Sequence, residues 1–324
     1  MSAKGPVSGF MEKHFRHFNA RETLDAALGF EAHVDKGGRM MLAMAGAMST
    51  GELGIILARM IRAGKIHAIS CTAANMEEDV FNLVAHDEYA ILPNYWDLSP
   101  EDETKLRDQG FNRVTDTAIP ETVFRHLERE FMDECRLAHK ERKRYFPFEI
   151  FKRILLSGRL EQHYQIPKES SWLLAACEAG IPVYTPGWED CTLGNIFTAR
   201  IIEGEVPGHG MLRSGTEQMQ HLVEWYLETV KKGEIGFFQI GGGIAGDFAI
   251  CAVPLIVQDL EKDVPLWGYF CQITDATTSY GGYSGAMPNE KITWFKIDPK
   301  TPRFVIHSDA AVIAPLIFAH VLGD

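Results

Sequence analysis

Residues 235–240 form a strand-like apolar run that ends on Gly241-Gly242-Gly243-Ile244-Ala245-Gly246, and an apolar stretch with three- and four-residue spacing follows over 244–260. A strand that turns on glycines into a helix leaves few architectures open, because it is the building unit of a parallel sheet covered by helices. The rest of the chain repeats the unit. Strand-like runs are expected at 40–45, 66–71, 181–185, 266–273 and 303–307 as well, and helices at 52–63, 77–85, 170–180, 216–232 and 310–322. The expected fold class is α/β, a parallel sheet with helices on both faces, whose ligands sit at the carboxyl ends of the strands.

The 324 residues are about twice the usual domain length, yet no repeat, low-complexity tract or Pro/Gly/Ser-rich linker divides them, so a single large domain over 1–324 is the simpler reading. Residues 97–153 break the rhythm with Pro100, Pro120, Pro147 and a charge run over 136–144, and are expected to be an insertion or a helical cover. The basic cluster Arg136, Lys140, Arg142, Lys143 and Arg144 reads as a solvated helix face.

Net charge of −12 argues against nucleic-acid binding through phosphate neutralisation and favours cationic small molecules. The most apolar stretch, 237–257, holds Gln239, Asp247, Pro254 and four glycines, so no membrane span is expected. Charged residues such as Lys4, Glu12, Lys13 and Arg16 fill the first twenty positions in place of a signal peptide's apolar region, and the expected location is cytoplasmic. Six cysteines without a Cys-x-x-Cys pair read as buried, reduced thiols.

The glycine run over 241–246 fits the spacing that lets a backbone approach a pyrophosphate at a helix N-terminus. It fits a tight turn or a close approach of two chains equally well, and the nearest acidic residue beyond the next strand, Asp275, comes late for the usual offset. A second glycine-rich loop, 279–286, resembles a serine-hydrolase elbow, but the pattern requires glycine where Ala286 stands, so no nucleophilic serine is indicated. If 292–297 is extended, Ile292, Trp294 and Lys296 share one face. A lysine desolvated beside tryptophan can hold a neutral, nucleophilic amine, although a snorkelling edge-strand lysine is the commoner reading. Glu77, Glu78, Asp190, Glu290 and Asp309 are acidic residues in expected loops, and Glu77 and Asp309 can equally be helix N-terminal charges. His307 and Asp309 alone do not make a metal site, and none is expected.

In order along the chain, Thr72-Ala73 with Glu77-Glu78-Asp79, Asp190 with Leu193-Gly194, Gly241-Gly242-Gly243, then Ser284-Gly285-Ala286-x-Pro288-x-Glu290-x-x-x-Trp294-x-Lys296 and Asp309-Ala310 resemble the deoxyhypusine synthase family from about Met40 to Leu322. The resemblance implies Rossmann-like subunits in a homotetramer, with NAD and the active site between paired subunits. It implies oxidation of an amine such as spermidine to an imine, transfer of the aminobutyl group onto Lys296, and its passage to an acceptor amine with no net redox. By the same resemblance Ser49, Thr72, Ala73, Glu78, Asp190, Gly241, Gly242, Gly243, Ser284, Asp309 and Ala310 would line the NAD site. Glu290 would hold a substrate ammonium, Trp294 its alkyl chain, and Lys296 would be the nucleophile.

The departures redirect the substrate. Asp247 stands where the family has a histidine base, Gly46 where it has an NAD-contacting asparagine, and Asn195, Tyr280 and Tyr283 where it has aspartates that grip the polyamine. Losing carboxylates weakens the case for spermidine, although Tyr280, Tyr283, Trp188 and Trp294 offer aromatic faces to cations. Asp247 is then either the proton acceptor or an ammonium anchor, and the anchor is the preferred reading. The expected activity is aminoalkyl transfer between small amines, as in homospermidine synthesis. Deoxyhypusine formation on a protein lysine is the alternative, for which the sequence shows no docking surface, and a non-catalytic NAD- or amine-binding homologue is the third.

Overall fold

The computed structural model describes residues 5–278 and 280–324. Lys4 of the N-terminal charge pattern and Ser279 of the second glycine-rich loop lie outside the described residues. Strands run in chain order as β1 (Arg39–Met44), β2 (Ala68–Cys71), β3 (Ala90–Ile91), β4 (Phe111–Val114), β5 (Thr117–Pro120), β6 (Val183–Tyr184), β7 (Ile235–Ile240), β8 (Tyr269–Thr274) and β9 (Arg303–His307). Six of them form one parallel sheet in the order β6-β2-β1-β7-β8-β9. Counted within that sheet the order is 3-2-1-4-5-6, the doubly wound arrangement of Rossmann-like folds, and the chain reverses direction of winding between β1 and β7.

Both faces of the sheet are covered, and the strand sequences show why. On β1, Met40, Leu42 and Met44 enter one apolar cluster with Phe30, Leu57 and Phe318, while Met41 and Ala43 enter the other with Tyr226, Ile250 and Trp267. A strand buried on both sides reads as a continuous apolar run because successive side chains point to opposite faces. Helix Phe18–Asp35 presents Leu24, Ala27 and Phe30 to the sheet, and the buried Tyr269 hydroxyl of β8 donates to the Ala26 carbonyl at 2.8 Å.

Three segments differ from expectation. Residues 97–153 contain helices Pro100–Asp108, Val123–Glu141 and Pro147–Leu156, but also the hairpin β4–β5, which with β3 makes a small antiparallel sheet in the order β3-β5-β4. The stretch 244–260 is a broken helix: Gly243–Ile250 ends before a short turn, Ala252–Pro254, and a wide turn, Leu255–Asp259. Pro254 has no N–H for the Ile250 carbonyl, and the indole of Trp267 takes that acceptor at 3.1 Å. Residues 292–297 are not extended, since a helical turn, Glu290–Thr293, precedes Lys296. Of the six cysteines, four are buried, and Cys191 and Cys251 are half-buried; all six are free. Among the described residues no helix is long and apolar enough to cross a membrane.

Candidate active site

The glycine turn leaves β7 at the switch point of the sheet. Gly241 and Gly243 have φ of 71° and 55°, values that L side chains rarely adopt, and a Cβ on Gly242 would stand 2.2 Å from Ser284 Oγ. Ser284 Oγ accepts the Gly243 N–H at 3.2 Å. Two buried glutamines, Gln239 and Gln272, face one another across β7 and β8 and fasten this junction. Both donate to the Gly241 carbonyl, at 2.9 and 3.1 Å, and Gln272 also donates to the Ser284 carbonyl at 2.8 Å. Tyr283 donates its hydroxyl to Gln239 Oε1 at 2.7 Å, and burial pushes that phenol well above its ordinary pKa, so the donor is kept.

Lys296 reaches the turn from the other side. Helix Glu290–Thr293 closes with the Phe295 N–H on the Ile292 carbonyl and the Lys296 N–H on the Lys291 carbonyl, at 3.1 and 3.0 Å. This is a Schellman motif in which Phe295, at φ 55°, occupies the left-handed position usually given to glycine. The Lys296 carbonyl then accepts from the Trp267 N–H at 3.1 Å, so the backbone of the lysine is tied to the core. Lys296 is 7 % exposed, and its Nζ lies 3.0 Å from Asp247 Oδ1 and 5.3 Å from the centre of the Tyr283 ring.

These groups share a cavity of about 340 Å³, roomy enough for a small amine, whose walls include Asp247, Tyr283, Glu290, Lys291, Trp294 and Lys296. Glu290 is exposed and Trp294 is 62 % exposed, so both stand at the rim. Tyr280, 84 % exposed, and Asn195 do not line it. The Asn195 amide instead turns back onto its own helix and donates to the Cys191 carbonyl at 2.7 Å. Asp190 lies on an exposed loop whose Gly187 borders Ile244 at the start of helix Gly243–Ile250.

Beyond the glycine turn, a second crevice of about 380 Å³ runs along the ends of β1, β7, β8 and β9. Gly241, Asp275, Asp309 and Ala310 line it. Asp309 also caps the last helix, Ala310–Leu322, by accepting the Ala311 N–H at 2.8 Å. Gly241 lines this second crevice, and the open Gly243 stands at a helix start whose first N–H groups have no intrahelical acceptor, so the turn could hold a dinucleotide phosphate.

The carboxylate run on helix Ala73–Ala85 binds neighbouring backbone. Glu77 accepts the Thr192 and Leu193 N–H groups at 2.8 Å each, Asp79 accepts those of Trp172 and Leu173, and Glu78 accepts that of Thr50 at 3.2 Å. Burial raises all three carboxyls, Glu78 and Asp79 to about 7. Ser49 is 1 % exposed and engaged by Asn75, Asn82 and Trp172, while Thr72 donates to the Gly46 carbonyl. Sequence reasoning missed Gln239, Gln272 and Lys291. A glutamine near the end of each of two adjacent apolar strands was the readable signal for the first two, whereas Lys291 lay just outside the 292–297 segment read as extended.

Fold and site together define a doubly wound α/β protein whose glycine turn opens beside a buried lysine–carboxylate pair. The deoxyhypusine synthase family model matches residues 10–321, and the chain belongs to that family. A deoxyhypusine synthase-like protein of Cyanothece sp. is 30 % identical over 288 residues, covering 87 % of this chain and 70 % of the relative. "Probable deoxyhypusine synthase 1" of Archaeoglobus fulgidus is 24 % identical and covers 94 % of this chain and 90 % of its own. The solved structure of a protein provisionally assigned as a deoxyhypusine synthase in Entamoeba histolytica shares the fold, with a TM-score of 0.59 at 13 % identity over 98 % of this chain and 92 % of that one.

Proposed function

We propose that the protein is an NAD-dependent transferase that moves an aminoalkyl group between small amines through an imine on Lys296. The observation that carries this reading is the Lys296–Asp247 pair, buried on the lysine side and opening into a cavity that adjoins the glycine turn. When bound, NAD would take a hydride from the donor amine and return it to the product. The glycine turn with Ser284 would hold it from one side, and Asp309 and Ala310 from the other.

The chain's own residues supply the rest. Only a neutral amine is nucleophilic, so Lys296 must give up a proton, and Asp247 Oδ1 at 3.0 Å is placed to accept it. This contact favours the proton-acceptor role for Asp247 over the ammonium anchor. Lys296 adds to the imine carbon of the oxidised donor, the donor's leaving amine departs, and the acceptor amine then displaces Lys296. Trp294 and Glu290 at the rim would meet the alkyl chain and an ammonium. A homotetramer belongs to this reading, and Ile244, Tyr280, Met287, Trp294 and Phe295 expose apolar surface that partner subunits would cover. In this reading a free amine is the acceptor, in preference to a protein lysine.

Borohydride trapping with NAD and a diamine tests the proposal. Mass spectrometry is expected to find a reduced adduct on Lys296 in the wild type and none in Lys296→Arg, whose guanidinium stays protonated. An adduct that persists on another residue of Lys296→Arg would refute the assignment.

A further inference from the structure

The cavity contains a second lysine that the transfer chemistry does not use. Lys291 is 2 % exposed, and its Nζ lies 4.8 Å from the Phe270 ring centre and 5.1 Å from that of Tyr283, the ring that Lys296 also faces. Among the described residues, its Nζ donates one hydrogen bond, to the Ala286 carbonyl at 3.3 Å. An ammonium has three donors, and among the described residues no carboxylate forms an ion pair with this one. Asp247 is paired with Lys296, and both it and Glu290 reach Lys291 only through longer-range attraction. A buried ammonium without a direct ion-pair partner is unfavourable, and burial together with Lys296 outweighs that attraction and pushes Lys291 down to about 8.

The balance of charge in the cavity is therefore unlike that of a polyamine site. Two carboxylates face two lysines, one carboxylate is already paired, and the other is exposed at the rim. A bare diamine would bring a further cation towards Lys291. A substrate carboxylate would instead meet the donors that the protein leaves without an acceptor, in a dry setting where charge-assisted hydrogen bonds are strong. We propose that Lys291 receives the carboxylate of an amino-acid-type substrate, so that one of the two amines joined by the transfer is a zwitterion. The inference rests on the reading of this cavity as the amine site.

The test compares 1,4-diaminobutane with ornithine, which differs from it by one carboxylate. Calorimetric titration of each into the full-length, NAD-loaded protein is expected to show ornithine binding about tenfold tighter or more. Lys291→Arg is expected to keep that preference and Lys291→Met to lose it, with diaminobutane affinity equal or improved and an unchanged melting temperature. Equal or tighter binding of diaminobutane by the wild type, no binding of ornithine, or a preference that survives in Lys291→Met each overturns the proposal. Should the methionine variant fail to fold, the wild-type comparison and the arginine variant decide. Borohydride labelling with both amines, run in parallel, separates the two readings. An ornithine preference without any label on Lys296 leaves the anion site standing and removes the transferase, whereas labelling by diaminobutane with no ornithine binding does the reverse.

Discussion

Phe295 holds a backbone conformation that disfavours any side chain, and it does so one residue before Lys296. Replacing it tests how much strain the motif carries. Phe295→Ala and Phe295→Gly both remove the ring, so the difference between them isolates the backbone, and the glycine variant is expected to be more stable by about 1 kcal/mol in denaturant titrations. Equal stabilities would mean that the turn relaxes when the ring is lost. Glu78 stores a different tension. Burial raises it from 4.5 to about 7, so between those values the folded protein binds a proton that the unfolded chain has released. Its contribution to stability therefore falls as pH rises through that window. In the NAD-free protein, Glu78→Gln is expected to gain stability relative to wild type by up to roughly 3 kcal/mol as pH goes from about 4.5 to about 7. Parallel stability curves for the two proteins would contradict the burial argument.

At the scale of elements, the glycine turn and the Ser284 turn are held as one unit by Gln239, Gln272 and Thr274, whose hydroxyl also donates to the Ser284 carbonyl at 3.2 Å. Gly242→Ala forces the two apart, because the new methyl group would fall 2.2 Å from Ser284 Oγ and 2.8 Å from its Cα. Thermal-shift titration is expected to give about tenfold or weaker NAD affinity in that variant, with the fold retained. Wild-type affinity would remove the glycine turn from the cofactor site. The inner strands of the large sheet were legible because they are buried on both faces and read as apolar runs, and the glycine turn because a strand and a helix flank it. The Lys296 segment was not legible. Ile292, Trp294 and Lys296 alternate as a strand would, but 290–296 is too short to distinguish that period from a capped helical turn, and Phe295 gave no glycine signal for the cap. The break after Ile250 had a visible cause in Pro254, and the hairpin β4–β5 was hidden in a charged stretch whose apolar residues are few.

For the whole molecule, strand order determines what can meet. Winding the chain outward from β1 and β7 places the glycine turn and the Asp309 crevice at the carboxyl end of the sheet, and the Lys296 cavity lies against helix Gly243–Ile250 and the Phe270 ring of β8, although these parts come from segments far apart in sequence. Asn195 and Tyr280, placed in the site by resemblance, stand outside the cavity within a single chain. Residues read singly suggested a chemistry, but which of them share a cavity depends on packing that no single segment encodes. The bond from the Trp267 N–H to the Lys296 carbonyl has a consequence in time as well as in space. Trp267 is fully buried and its indole holds the carbonyl that Pro254 frees, so the lysine's main chain cannot detach without disturbing the interior. Amide deuterium exchange at Trp267 and Lys296 is expected to be as slow as in β7 and β8, while the exposed Gly281 and Gly282 exchange orders of magnitude faster. A Lys296 amide exchanging at the rate of those glycines would mean that the segment opens by itself. Slow exchange there would mean that the Lys296 amine moves only through its own side-chain torsions, on a main chain that opens only when the interior does.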